Sequence, residues 1–280
     1  MRSSNIKLGM QNITLSTVGH FITDMYPAFI IGIIPLIALK FELSLFEIAA
    51  MTSIAQISNS LTQPIFGYLA DKKSFKYFMA YGLLAAAVFL SLIAIAPSYY
   101  FILIFIFAGS LGVSAFHPPS AAMGAQYNGK SKAFGNSIIS FGGCAGYAVG
   151  TFFFILIVEK FGIKFSPLAM IPGIVFFFLL LRFMPDSNFK KNFSLKNQEK
   201  ENNVIAPGIL KKEKLHVKTR KEKIILLIFI WFSSYTRDVL WIGIMTFMPV
   251  YFTQAKISIL NTSALIMIFT FTIGHHYIIE

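Results

Sequence analysis

Tyr77–Ala96 reads YFMAYGLLAAAVFLSLIAIA, a run without one charged residue. Wound as an α-helix, such a run is about as long as the hydrocarbon core of a bilayer is thick, roughly 30 Å. Lipid offers no water to backbone amides, so a crossing segment satisfies them within itself, as a helix does. A strand is disfavoured, because the run is too long and too uniformly apolar. The rest of the chain repeats this pattern. Of 280 residues, 56% are hydrophobic and only 13% charged, with mean hydropathy +0.68, whereas a soluble domain carries about 25% charged residues. The charges are segregated as well as few. The composition implies an all-α integral membrane protein and excludes a water-soluble core.

Eight stretches are long enough to span: about 13–39, 46–70, 77–96, 99–125, 134–158, 165–184, 224–252 and 259–279. The first exceeds the roughly 7–15 apolar residues of a signal peptide, so it is expected to be retained. Between the sixth and seventh lies a polar, Lys-, Asn- and Glu-rich segment, expected to be a partly disordered linker with helix near Lys211–Lys221. The organisation expected is therefore residues 1–184 as a six-helix half, 185–222 as a basic linker and 223–280 as two further helices. That is the layout of one half of a six-plus-six transporter followed by the start of the second.

Basic residues orient the chain. The N-terminal tail holds Arg2 and Lys7, the second-to-third loop Lys72, Lys73 and Lys76, and the fourth-to-fifth loop Lys130 and Lys132. Twelve more lie between Arg182 and Lys223, so these regions hold 19 of the 24 Lys and Arg residues. The opposite loops hold only Lys40, Lys160, Lys164 and Lys256. The positive-inside rule then places the N-terminus and the linker in the cytoplasm of a multi-pass inner-membrane protein. The net charge of +12 is read as this topology signal and not as a nucleic-acid footprint. The lone Cys144 excludes an intrachain disulfide and a Cys-based metal site.

Ionisable residues at bilayer depth are costly and so mark function. Asp24 lies midway between Lys7 and Lys40, Arg237 and Asp238 midway between Lys223 and Lys256, and His117 near the middle of its span. His20 and Asp24, four apart, share one helix face. A carboxylate in hydrocarbon is costly to keep charged, which suits uptake and release of a proton. Asp24 with His20 is therefore the proton-coupling candidate; the alternative is a static polar clamp between helices. Arg237 stays charged and offers a planar fork for a carboxylate or phosphonate, with His117 and Asp238 as further substrate-binding candidates. The alternative for Arg237 is an internal ion pair with Asp24 or another carboxylate. Asp238 points about 100° away from Arg237 around a helix and is expected to face a different partner. His117-Pro118-Pro119 is expected to interrupt the fourth span, either to line a cavity or as an ordinary kink. Gly142, Gly146 and Gly150, four apart, present one smooth face for packing or for helix sliding. Gly67, Asp71, Lys72 and Lys76 are candidates for a gating loop at the end of the second span.

Gly67–Lys76 resembles the loop signature of the major facilitator superfamily, of the form G-x-x-x-D-R-x-G-R-R. Gly67, Asp71 and Lys76 fit, Lys72 replaces Arg, Ser74 stands for Gly, and Phe75 stands for a basic residue. Gly19-His20-Phe21-Ile22-Thr23-Asp24-Met25 and Phe116-His117-Pro118 resemble the first and fourth spans of the fosmidomycin resistance branch, and the likeness runs from about Gly19 to Thr272. The fifth-span glycines resemble an antiporter motif without its proline, since Tyr147 follows Gly146. The resemblance implies a major-facilitator-type helical bundle. It further implies an exporter working by alternating access, exchanging protons for a small drug-like molecule such as an anionic phosphonate antibiotic. Its partners would be that substrate, protons and the lipid bilayer, with no nucleic acid, no cofactor and no metal, and with a monomeric full-length protein. Family members continue through several more spans, so this frame is expected to be truncated after Glu280. The alternatives are a transport-inactive membrane fragment and, remotely, a membrane enzyme using His20, His117 and Asp24, for which no nucleophile–base or metal-ligand spacing is present.

Overall fold

The computed structural model describes residues 2–72, 74–125, 132–184 and 220–279, and among them every regular element is a helix. Contacts sort the chain into two compact units, Met1–Ser187 with Met245–Glu280, and Asn188–Ile244. The linker expected over 185–222 and the helix expected at Lys211–Lys221 lie outside the described residues up to 219.

In the first unit, the first span is not one helix. It consists of α1 (Arg2–Met25) and α2 (Pro27–Phe41), separated at Tyr26. Pro27 has no N–H and its ring crowds the carbonyl one turn back, so the ladder breaks there. The ends of the break are tied elsewhere. Tyr26 is fully buried; its hydroxyl donates to Ala169 O at 3.1 Å and accepts from Gly173 N at 2.8 Å. That anchors the bend to the sixth span, built from a 3-10 segment (Ile163–Met170) and α7 (Ile171–Phe183).

The second span, α3 (Leu45–Lys72), opens on a reciprocal capping box. Ser44 N donates to Glu47 Oε2 at 2.8 Å, and Glu47 N to Ser44 Oγ at 3.3 Å, satisfying two orphan donors of the first turn. Farther along, α3 carries polar side chains that bond to one another and to a neighbour: Gln63 to Asn59 at 3.1 Å and Thr62 Oγ1 to Ser114 Oγ at 2.7 Å. These lower its hydropathy. Among the described residues, six of the eight expected spans are long and apolar enough to cross a membrane; α3 is not among them, and the last helix contributes the shorter apolar stretch Ile259–Thr272.

α4 (Phe75–Leu92) and α5 (Tyr99–Ala125) meet where neither has a side chain. A methyl on Gly82 would stand 2.6 Å from Gly112 O. α5 stays helical through Pro118 and Pro119, so the expected interruption of the fourth span does not occur. The prolines deprive only the Ser114 and Ala115 carbonyls of ladder donors, and packing against α3 and α4 holds the helix together. One core cluster joins the end of α3 to α4, α5 and α7 through Ala70, Phe75, Met79, Phe116 and Leu180. Phe75 is thereby explained: at 5% exposure its position is interior, where a basic residue would be desolvated.

The remaining helices are α6 (Lys132–Phe161), α8 (Arg220–Gln254) and α9 (Ile259–Ile279). α6 packs along α1 on one side and along α9 on another. In the second unit, α8 presents exposed apolar side chains, among them Ile225, Leu227 and Phe229.

Candidate functional site

The α1–α6 seam is built on glycine. Gly142, Gly146 and Gly150 of α6 face the backbone of Thr17, Phe21 and Met25 of α1, and a methyl on any of the three would overlap it. Both series repeat every four residues, so the two helices run side by side at backbone contact. Gly143, one residue off the stripe, clears the space in which the ionisable residues meet. A methyl there would stand 2.6 Å from Asp24 Oδ2 and 2.8 Å from His20 Nε2.

His20 Nε2 lies 3.2 Å from Asp24 Oδ2, one helical turn apart on α1. The other ring nitrogen, Nδ1, lies 2.9 Å from the carbonyl oxygen of Ile139 on α6. A carbonyl only accepts, so Nδ1 carries hydrogen and donates. Nε2 and Oδ2 then need one further proton between them, on the imidazole or on the carboxyl. Removing it would leave a lone pair facing a carboxylate at 3.2 Å. The pair is thus arranged as a holder of one proton.

His117 of α5 completes the group. Its Nε2 stands 3.5 Å from Asp24 Oδ1, and its ring meets that of His20 edge-on with centroids 5.0 Å apart. Asp24 Oδ1 is enclosed and, among the described residues, makes no hydrogen bond. The three side chains are 14–22% exposed, so the cluster is enclosed without being sealed. Spacing along the chain brings His20 to Asp24; only packing adds His117, the Ile139 carbonyl and the Gly143 vacancy. Gly143 carries a weak signal, as the second glycine of a pair beside the stripe. Ile139 carries none, because its contribution is backbone.

Residues 16–275 match the Major Facilitator Superfamily. The chain belongs to this superfamily. Two relatives match part of it. The fosmidomycin resistance protein of Escherichia coli (strain K12) is 29% identical over 146 residues, covering 52% of this chain and 36% of that protein. The uncharacterized MFS-type transporter YfnC of Bacillus subtilis (strain 168) is 27% identical over 143 residues, covering 51% and 35%. Each match thus spans about a third of the relative's length.

The remaining candidates of this Major Facilitator Superfamily chain are described each within its own unit. Arg237 and Asp238 belong to the second unit. There the guanidinium donates from Nε and Nη2 to Asp238 Oδ1 at 3.0 and 2.9 Å, with both side chains more than half exposed. Asp238 does not face a different partner, because the long arginine side chain spans the 100° between neighbouring positions. Asp71 and Lys72 are exposed at the end of α3, and Lys72 Nζ lies 4.2 Å over the Tyr68 ring, within cation–π range. Lys76 Nζ lies 5.8 Å from the Tyr77 ring centroid. At Gly67 a methyl would stand 3.5 Å from Pro118 Cβ, ordinary contact, so the glycine is not required there for close approach.

Proposed function

We propose that this superfamily member is a secondary transporter. In this reading the His20–Asp24 pair carries the coupling proton while a small anionic, drug-like molecule is exported by alternating access. The observation that carries the reading is the hydrogen-bond geometry. Ile139 O and Asp24 Oδ2 are both acceptors on one imidazole, so the pair binds a proton as long as α1 and α6 stay together. Opening of the seam would separate the pair from Ile139 and release the proton; the glycine stripe offers a surface without side-chain interlock for such a movement. In this reading Arg237 supplies the fork for the anionic group, His117 and Asp238 are further substrate-binding residues, and Gly67, Asp71, Lys72 and Lys76 form the gating loop on the cytoplasmic side. The basic loops support an N-terminus in the cytoplasm of the inner membrane. The name of one relative, a fosmidomycin resistance protein, makes an anionic phosphonate the first substrate to try.

The test is uptake of labelled fosmidomycin into proteoliposomes holding the chain, driven by an imposed pH gradient. Asp24→Asn abolishes gradient-driven flux, while Arg237→Lys weakens substrate binding and leaves the pH dependence in place. A chain that inserts but moves no solute overturns the proposal in favour of a transport-inactive membrane polypeptide. Full flux in Asp24→Asn overturns it in favour of a static clamp.

A further inference from the structure

Two imidazoles and one carboxylate, from α1 and α5, converge so that one ligand-capable atom from each lies within 4.8 Å of the others. His20 Nε2 stands 3.2 Å from Asp24 Oδ2, and His117 Nε2 stands 3.5 Å from Oδ1, the other oxygen of the same carboxylate. Ligand atoms held about 2.0–2.2 Å from a tetrahedral ion lie roughly 3.3–3.6 Å apart, so a turn of the carboxylate with small shifts of the rings would seat one. The second shell has the form common in metal sites. His20 Nδ1 donates to the Ile139 carbonyl, which fixes the ring and turns Nε2 toward the cluster as a ligand. Asp24 Oδ1 is enclosed and without a hydrogen bond among the described residues, and Gly143 puts no side chain of its own against Asp24 and His20. Partial exposure leaves a fourth position for water. Two nitrogens and a carboxylate suit zinc, cobalt or nickel; magnesium and calcium call for oxygen ligands.

We propose that His20, Asp24 and His117 bind one divalent transition-metal ion of the zinc class, in place of the proton that His20 and Asp24 share. The proposal rests on the proton reading of His20 and Asp24 and adds His117 to that pair. On binding, the ion takes the Nε2 lone pair of each imidazole and a carboxylate oxygen, and the shared proton leaves to solvent. Metal and proton therefore compete, and metal affinity rises with pH. Cys144 and Tyr147 on α6 also lie within electrostatic reach of Asp24. The ligand set was not apparent along the chain because His117 comes from another helix.

The experiment titrates cobalt(II) chloride into the whole, untagged chain in detergent micelles and follows the visible bands of low-coordinate cobalt. The chain has 5 histidines, so the three outside the cluster are removed together as His216→Gln, His275→Gln and His276→Gln. The expected result is one saturable equivalent, displaced by zinc, kept in this triple variant and weakened at least about 100-fold by His117→Gln. Loss of a second-shell partner alone costs about 10–100-fold. No saturable binding by the whole chain overturns the proposal, and so does binding lost in the triple variant. The triple variant decides even if His117→Gln fails to fold. Gradient-driven flux measured with a chelator present reads the proton role separately. Cobalt bound without pH-driven flux removes only that role, and flux without cobalt binding removes only the metal site.

Discussion

Two seams in the first unit close by the same device and end with different contents. Between α4 and α5, Gly82 and Gly112 let two backbones touch, and the surroundings are apolar: Leu90 fills the space beside Gly109. Between α1 and α6, Gly142, Gly146 and Gly150 do the same against Thr17, Phe21 and Met25, but Gly143 also makes room for a carboxylate and an imidazole. Close glycine contact is therefore a packing solution that says nothing of function by itself. The α1–α6 seam is distinguished by an imidazole and a carboxylate of α1, one turn apart, with the Ile139 carbonyl of α6 accepting from the imidazole.

Four substitutions sharpen or break that comparison. Gly146→Val has the largest expected effect, because the new side chain collides with the Phe21 backbone and no rotamer relieves it. A loss of about 3 kcal/mol or more is expected, read as a lowered thermal unfolding midpoint by circular dichroism in micelles. A wild-type midpoint would show that the seam opens at little cost. Gly143→Ala is expected next. It crowds Asp24 Oδ2 and His20 Nε2, so gradient-driven flux falls several-fold while the folded yield stays near that of the parent. Gly82→Ala, in the apolar seam, is the matched control. It lowers the midpoint and leaves the pH dependence of flux unchanged. If the two variants behave alike, the seams do not differ in function. Gly67→Ala has the smallest expected effect. Its methyl meets Pro118 at ordinary contact distance, and helix propensity favours Ala by up to about 1 kcal/mol. A lowered midpoint would show that this glycine is needed for packing after all.

Much of the fold is legible along the chain because the bilayer imposes a local rule. A crossing segment must be apolar over about 20 residues and satisfy its own backbone, and both demands are written in consecutive residues. Three departures have physical causes. The missing N–H of Pro27 ends α1 inside the expected first span, and α5 stays helical through Pro118 and Pro119, where an interruption is expected. Asn59, Thr62 and Gln63 make α3 more polar than the span expected over 46–70.

The site divides along the same line. Sequence alone determines that His20 and Asp24 share a helix face, because 3.6 residues per turn brings positions four apart together. It also determines that Gly142, Gly146 and Gly150 form one stripe. Tertiary structure alone decides that the stripe lies on Thr17, Phe21 and Met25, that His117 joins Asp24, and that the carbonyl holding His20 belongs to Ile139, 119 residues away. Helical periodicity acts within one segment. Which segments touch, and at which register, depends on how side chains and glycine gaps fit across a seam, and no spacing within either helix contains that information.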